Sequence, residues 1–387
     1  MSGVLRKIHR WIGLILVLPF ALQGLTGTVL ILFPYFMPAR PSVAVPDAVA
    51  TGSAPGVEAI IAAARTAAPQ GMIPLRFDPV RWAGDSALVT FGPPGERHPT
   101  FEVLVDPTKP SVIRTHIIPA SFRFLHTLHE EMFLLPFGHW ATGFMGVFLI
   151  GLAVTGLLIW WPHPSLWRSG KWRRTVMISR RARGLRLWRE AHVSIGFWVS
   201  GMLLFLAVSG SVMAFPFGKA LFGIQRPDQG GGHAHHGAGP GLPGEQGLDA
   251  ALAALRTKMP DAVLMDVRLG GSSMQQSLEV ALPAYGPNRP AAVQYDPHGD
   301  VLRVTRDPGV QRIGEWMFQW LHQLHEAKLA GPAIIAPLWK FAVFLTGIAL
   351  VFFPLSGFIM WSLRRRDTAR RRAGISEATA RQGAGAD

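Results

Sequence analysis

Four apolar runs constrain this chain more than anything else in it: roughly Trp11 to Phe33, Trp140 to Trp161, Ile195 to Phe217 and Ile335 to Trp361. About 20 residues of helix cross a bilayer core, and each run is long enough. Lys340 is the one charged residue within them, near enough to an end for its ammonium to reach the surface. Their glycines and prolines are tolerable because neighbouring helices satisfy the backbone. Arg6, Lys7 and Arg10 precede the first run as in a signal peptide. The run is too long for a signal's apolar segment and lacks a small-residue cleavage site, so a retained anchor is expected.

Charge sets the expected orientation. The loop from His163 to Arg189 contains basic residues such as Arg168, Lys171, Arg173 and Arg174 and no acid, and Arg364, Arg365 and Arg366 follow the last run. The long connections 34–125 and 218–332 are nearly balanced. The positive-inside rule then puts both termini and the short loop in the cytoplasm, with both long connections outside. The net charge of +14 is therefore a signature of topology at a lipid surface, and no nucleic-acid partner is expected. With no cysteine in the chain, disulfides and covalent c-type haem are excluded.

The chain reads as a tandem duplication. Leu125-His126-Thr127-Leu128-His129-Glu130 returns as Leu321-His322-Gln323-Leu324-His325-Glu326, each copy ahead of an apolar run. His9-Arg10-Trp11-Ile12-Gly13 returns as His192-Val193-Ser194-Ile195-Gly196, and Gly27 falls on Gly210 in that register. Thr155-Gly156 returns as Ser356-Gly357, and Val105-Asp106-Pro107 as Tyr295-Asp296-Pro297. Self-similarity in a consistent order is a strong signal of repeated architecture.

Each outside connection reads as a small α+β module. The first has a helix over Val57 to Ala67 and strands near 73–77, 86–91, 101–105 and 112–115; the second has a helix over Leu248 to Lys258 and strands near 263–269, 277–282, 292–295 and 301–305. Such modules have only a modest core and are expected to lean on the bundle or on each other. His233, His235 and His236 sit in a glycine-rich stretch read as a linker, because ordering it around a metal would cost much entropy. The expected fold is thus a membrane α-helical, four-span bundle built from a tandem repeat, with two small extracytoplasmic α+β modules. The first span occupies 1–36, the first module 37–118, and a His-bearing segment with the second span 119–162. A basic loop at 163–190 leads to the third span at 191–218. A linker with the second module fills 219–308, a His-bearing segment with the fourth span 309–363, and a basic tail 364–387.

Repeated histidines beside membrane spans point to haem iron, which a bundle holds through imidazoles from neighbouring helices. His9 and His192 both stand at the cytoplasmic start of a span. His126/His129 and His322/His325 lie outside, just before the returning spans. A pseudo-twofold axis along the membrane normal would set equivalent residues face to face, giving one haem near each membrane face. The two histidines of each Leu-His-x-Leu-His share a helix face. His129 and His325 lie nearer their spans and are favoured as ligands, with His126 and His322 as close rivals. His139 has no counterpart and reads as a ligand, a proton relay, a substrate contact or none of these. Glu130 and Glu326 either support an imidazole or meet water. Small residues such as Gly27 and Gly210 fit room for haem and plain helix packing equally. Span-end histidines and tryptophans also anchor helices among headgroups, and duplication copies incidental residues too.

The pieces Arg6-Lys7-Ile8-His9-Arg10-Trp11-Ile12-Gly13, Leu128-His129 with Gly138 and Gly143, Arg189-Glu190-Ala191-His192-Val193-Ser194-Ile195-Gly196 and Leu321-His322-Gln323-Leu324-His325 resemble the bacterial PepSY-associated transmembrane-helix family. Thr155-Gly156 and Ser356-Gly357 resemble its Thr/Ser-Gly pattern, and the outside modules look like PepSY domains. The family includes inner-membrane reductases of ferric siderophores. The resemblance implies two haems b, held by histidines among His9, His129, His192, His322 and His325, that carry electrons outward to ferric siderophore in the periplasm. No glycine-rich nucleotide fingerprint joins a strand to a helix, so electrons would come from membrane quinol or a separate cytoplasmic donor. Arg123, Trp316 and Trp320 are candidates for the outer acceptor surface. A second reading is a non-enzymatic, membrane-anchored PepSY protein that binds peptides or regulates a protease. A transporter ranks last, because both halves share one orientation and no charge lies mid-span.

Overall fold

The computed structural model describes residues 2–36, 55–80, 85–95, 99–134, 136–224, 247–269, 276–295, 303–329 and 334–383. His233, His235 and His236, and Asp296 with Pro297, lie outside these. Each apolar run becomes helix, the form in which a segment satisfies its own backbone in hydrocarbon. The chain opens with α1 (Ser2–Ile15) and α2 (Val17–Phe36). They are separated at Leu16 because Pro19 has no N–H to offer the Ile15 carbonyl, while Leu16 N–H to Ile12 O and Phe20 N–H to Leu16 O, both 3.0 Å, carry the helix through. Then come α3 (Val57–Ala67), β1 (Ile73–Asp78), β2 (Ala87–Gly92), β3 (Phe101–Val105), β4 (Val112–Ile117), α4 (Ala120–Glu131), α5 (Gly138–Trp160) and the short α6 (Pro164–Arg168). The second half runs α7 (Gly184–Ala214), α8 (Leu248–Lys258), β5 (Val263–Arg268), β6 (Ser277–Ala281), β7 (Ala291–Gln294), β8 (Arg303–Arg306), α9 (Ile313–His325) and α10 (Ile335–Gly383).

Among the described residues, α2, α5, α7 and α10 are the four helices long and apolar enough to cross a membrane. Leu18, Phe144, Leu158, Trp198, Leu345 and Phe358 point outward from them and are exposed. So large an apolar surface belongs against lipid, and the protein is a membrane protein. Helix α7 starts well before its apolar run, so His192 lies inside a continuous helix instead of at its head. Arg186 and Glu190 pair at 2.7 Å across one turn, and Glu190 also accepts the Ser179 N–H at 2.9 Å, which extends the helix into the basic segment.

The spans pack across halves. A β-carbon on Gly24 of α2 would stand 2.8 Å from the Gly347 carbonyl of α10, and one on Gly347 would meet the Thr28 hydroxyl. At the corresponding places, a β-carbon on Gly146 of α5 would meet the Ser211 hydroxyl of α7 and stand 3.0 Å from the Ala207 carbonyl. Small residues thus bring each first helix against the other half's returning helix.

The strands form one antiparallel eight-stranded sheet in the order β4-β3-β2-β1-β5-β6-β7-β8. The two modules join where β1 pairs with β5, Phe77 opposite Val267 and Arg76 opposite Arg268. The core lies between one face of the sheet and α3 with α8, filled by Ile61, Phe77, Phe91, Leu248, Val267 and Leu278. The helices cap one another. Asp249 of α8 accepts the Val57 N–H at 2.6 Å and the Glu58 N–H at 3.3 Å, and Glu58 accepts the Asp249 N–H at 3.1 Å. Each carboxylate thereby meets the positive end of its neighbour's helix. Each module therefore leans on its twin. On the other face of the seam, Arg76 lies 2.8 Å from Asp266 and 3.0 Å from Asp78, and Glu279 lies 3.2 Å from both Arg268 and Arg306. These carboxylates offset the repulsion between facing arginines.

Candidate functional site

Histidines gather at two opposite ends of the helical bundle. At the arginine-rich end, α1 and α7 bring His9 and His192 to one cavity of about 870 Å³ among α1, α5, α7 and α10. Their ring centroids are 6.4 Å apart and their planes cross at 81°. Both residues are half-buried among the helices. The Nδ1 of His9 is 2.9 Å from Thr155 Oγ1, and that of His192 is 2.7 Å from Ser356 Oγ. A hydroxyl has a single hydrogen to give. Thr155 gives it to the Gly151 carbonyl at 2.7 Å, and Ser356 to the Phe353 carbonyl at 2.9 Å. With those hydrogens so placed, both hydroxyls can accept from Nδ1–H, the tautomer that puts the lone pair of each imidazole on Nε2.

The same device recurs at the sheet end with the elements exchanged. Here the histidines come from the short helices α4 and α9, and the hydroxyls from the spans α2 and α7. His129 Nδ1 is 2.9 Å from Thr26 Oγ1, which donates to the Leu22 carbonyl at 2.8 Å. His325 Nδ1 is 2.7 Å from Ser209 Oγ, which donates to the Leu206 carbonyl at 3.1 Å. Beside these hydroxyls, a β-carbon on Gly27 or Gly210 would stand 2.9 or 3.0 Å from the Cε1 of His129 or His325. At the other end, one on Gly156 would stand 3.3 Å from the Cε1 of His9. Burial pushes the His129 imidazole below its ordinary range, and the charge of His325 adds to the effect. Burial likewise lowers His325, although Glu326 opposes it. Both are neutral at physiological pH, the state in which imidazole offers a lone pair. Gln23 donates to the His129 carbonyl at 2.9 Å, and its Oε1 is buried with no partner among the described residues.

The other histidines are placed differently. His126 lies 3.4 Å from Glu130 and His322 lies 3.0 Å from Glu326, each one helical turn away. The glutamate after each second histidine thus serves the first histidine of its motif. Burial alone would raise Glu326, but its bonds with His322 and Lys328 hold it down at about 2. His139, at the head of α5, is 3.4 Å from Glu131. Arg123 borders a small apolar pocket with Met72 and Phe101. Trp316 and Trp320 lie with ring centroids 6.2 Å apart on α9.

The sequence reading counts Thr26 and Ser209 only among small residues that allow close approach of helices, and gives none of the four hydroxyls a histidine to hold. A signal was present: Thr26-Gly27, Thr155-Gly156, Ser209-Gly210 and Ser356-Gly357 each put a hydroxyl before a glycine within an apolar run. Every one of these pairs receives one histidine.

The arginine-rich cavity fits a flat apolar group with an acidic edge. A bond from metal to imidazole is about 2 Å, so two imidazoles on opposite sides of one ion have ring centres roughly 6 Å apart. The His9 and His192 rings have that separation. Phe20, Leu149, Leu203 and Leu350 supply apolar wall, while Arg6, Arg10, Arg189 and Arg364 supply positive charge. Fold and site together define a helical membrane protein with imidazole pairs at both ends of its bundle. The chain belongs to the family described as the PepSY-associated TM region, whose model matches residues 6–364. A comparison with curated proteins gives no match.

Proposed function

We propose that this protein is a di-haem b reductase of the bacterial inner membrane, which passes electrons outward to ferric iron, presented as ferric siderophore, in iron uptake. The observation that carries this reading is the opposition of His9 and His192 across a cavity, with each Nδ1 tied to a hydroxyl. Haem b bound there would supply a one-electron couple. His9 and His192 would hold one haem near the cytoplasmic face, and His129 and His325 the other near the outer face. The helical rise between His192 and Ser209, which holds His325, is about 25 Å. Two centres would divide the membrane into shorter electron hops.

The remaining residues hold and shield. Apolar side chains of the cavity exclude water, and arginines at its basic end would meet carboxylates. With the basic segments in the cytoplasm, the sheet lies in the periplasm, where Arg123, Trp316 and Trp320 are candidates to meet the acceptor. Electrons would enter from membrane quinol or a cytoplasmic donor. The matched contacts of the two halves support their origin as a tandem repeat carrying two PepSY-like modules.

The test is an absorption spectrum of protein purified in mild detergent, oxidised and then reduced, followed by mixing with a ferric siderophore and a ferrous trap. Sharp reduced α and Soret bands that are lost as ferrous iron appears are expected. A colourless preparation from haem-replete cells would overturn the reading and favour a membrane-anchored PepSY protein that binds peptides or regulates a protease.

A further inference from the structure

Four histidines meeting four hydroxyl–glycine pairs is more order than helix packing requires. Each hydroxyl lies between 2.7 and 3.1 Å from a carbonyl of its own helix, which can take its hydrogen and leave the oxygen free to accept from the imidazole. Three of the adjoining glycines would, with a β-carbon, stand 3.3 Å or less from the ring. Each half of the chain also makes its own clamps. Thr155 holds His9 and Thr26 holds His129, while Ser356 holds His192 and Ser209 holds His325. His9 and His192, from opposite halves, then stand with ring centroids 6.4 Å apart.

We infer that Thr26, Thr155, Ser209 and Ser356 are positioning residues that fix the Nδ1–H tautomer and ring orientation of the four histidines and thereby set the reduction potentials of the two haems. The inference rests on the haem reading above. An Nδ1–H that donates to a fixed acceptor makes Nε2 a stronger donor, which favours the more highly charged ferric iron and lowers the potential. Removing the hydroxyl takes away one acceptor and leaves the backbone carbonyls of Leu152, Gln23 and Leu206 beside His9, His129 and His325, which weakens Nε2 as a donor and frees the ring to turn.

The experiment is a redox titration of the purified holoprotein, followed by its α bands, for wild type, Thr155→Val with Ser356→Ala, and Thr26→Val with Ser209→Ala. Thr155→Ser is the conservative control. Each double variant is expected to raise one of the two potentials by about 59 mV, a tenfold shift in a one-electron equilibrium, and to leave the other in place. The low-spin ferric electron paramagnetic resonance signal, which reports the angle between axial imidazole planes, should change for the same haem. Thr155→Ser should keep the wild-type potential and signal. Unchanged potentials in double variants that still bind both haems would overturn the inference while leaving the haem reading intact. So would a potential in Thr155→Ser shifted as far as in Thr155→Val with Ser356→Ala, because Thr155→Ser keeps the hydroxyl. A wild-type protein without haem overturns the reading beneath it.

Discussion

The two ends of the bundle solve one problem with opposite parts. At the arginine-rich end the histidines ride on α1 and α7, and the hydroxyls belong to the returning helices α5 and α10. At the sheet end the hydroxyls belong to α2 and α7, and the histidines arrive on α4 and α9, which are too short to span. The first pair opens onto a large cavity bordered by arginines, whereas the second is pressed against Gly27 and Gly210. The first site is therefore built by spans and by α1, which runs directly into α2. The other depends on two amphipathic helices being held in place at the base of the sheet.

That contrast can be broken most sharply at the glycines. Gly27→Val, or Gly210→Val, would drive a side chain into the imidazole of His129 or His325, and is expected to abolish haem at the sheet end while the opposite end keeps its full complement. Gly201→Ala meets nothing within 4 Å and should leave both unchanged. Haem content of the purified variants measures both effects. A smaller change is expected from Gln23→Leu, which removes the carboxamide beside His129 and makes α2 resemble α7, where Leu206 stands in the same register. The potential of the sheet-end haem should move toward that of a more symmetric site, with haem content retained. His126→Ala and His322→Ala remove the contacts with Glu130 and Glu326, and should leave the spectrum intact with less than about 1 kcal/mol lost in stability.

A separate effect lies in the sheet. Burial, with Asp78 and Glu279 adding and Arg76 opposing, raises the Asp266 carboxyl from 3.8 to about 6. Because the folded value is the higher one, its stabilising contribution is full below about pH 4 and is lost as pH rises through 6. Hydrogen exchange at the β1–β5 seam, corrected for intrinsic rates, should show protection falling by up to about 2 kcal/mol across that window. Asp266→Asn should flatten the dependence.

Much of this arrangement was legible in the residues, and what was not has a physical reason. Apolar length announced the spans, and alternation placed the strands within a few residues, as for Phe101–Val105. The start of α7 was missed because the Arg186–Glu190 pair and the bond from Ser179 extend a helix that hydropathy alone would end sooner. Register against Gly27 and Gly210 set the repeat, yet the same residues served packing and haem equally well until distances separated the roles. Gly146 and Gly347 bring helices together, whereas Gly27, Gly156 and Gly210 face imidazoles. The joining of β1 to β5 depends on contacts between residues far apart in sequence, which no local pattern encodes.

The central claim is that each end of the bundle holds its own haem between two imidazoles. The most direct test is the ratio of haem to protein, by pyridine haemochrome, in wild type, in His9→Ala with His192→Ala, and in His129→Ala with His325→Ala. The account predicts about two haems in wild type and one in each double variant, with different reduced α bands remaining. An unchanged ratio in either double variant, or loss of both haems from each while the sheet stays folded, would contradict it.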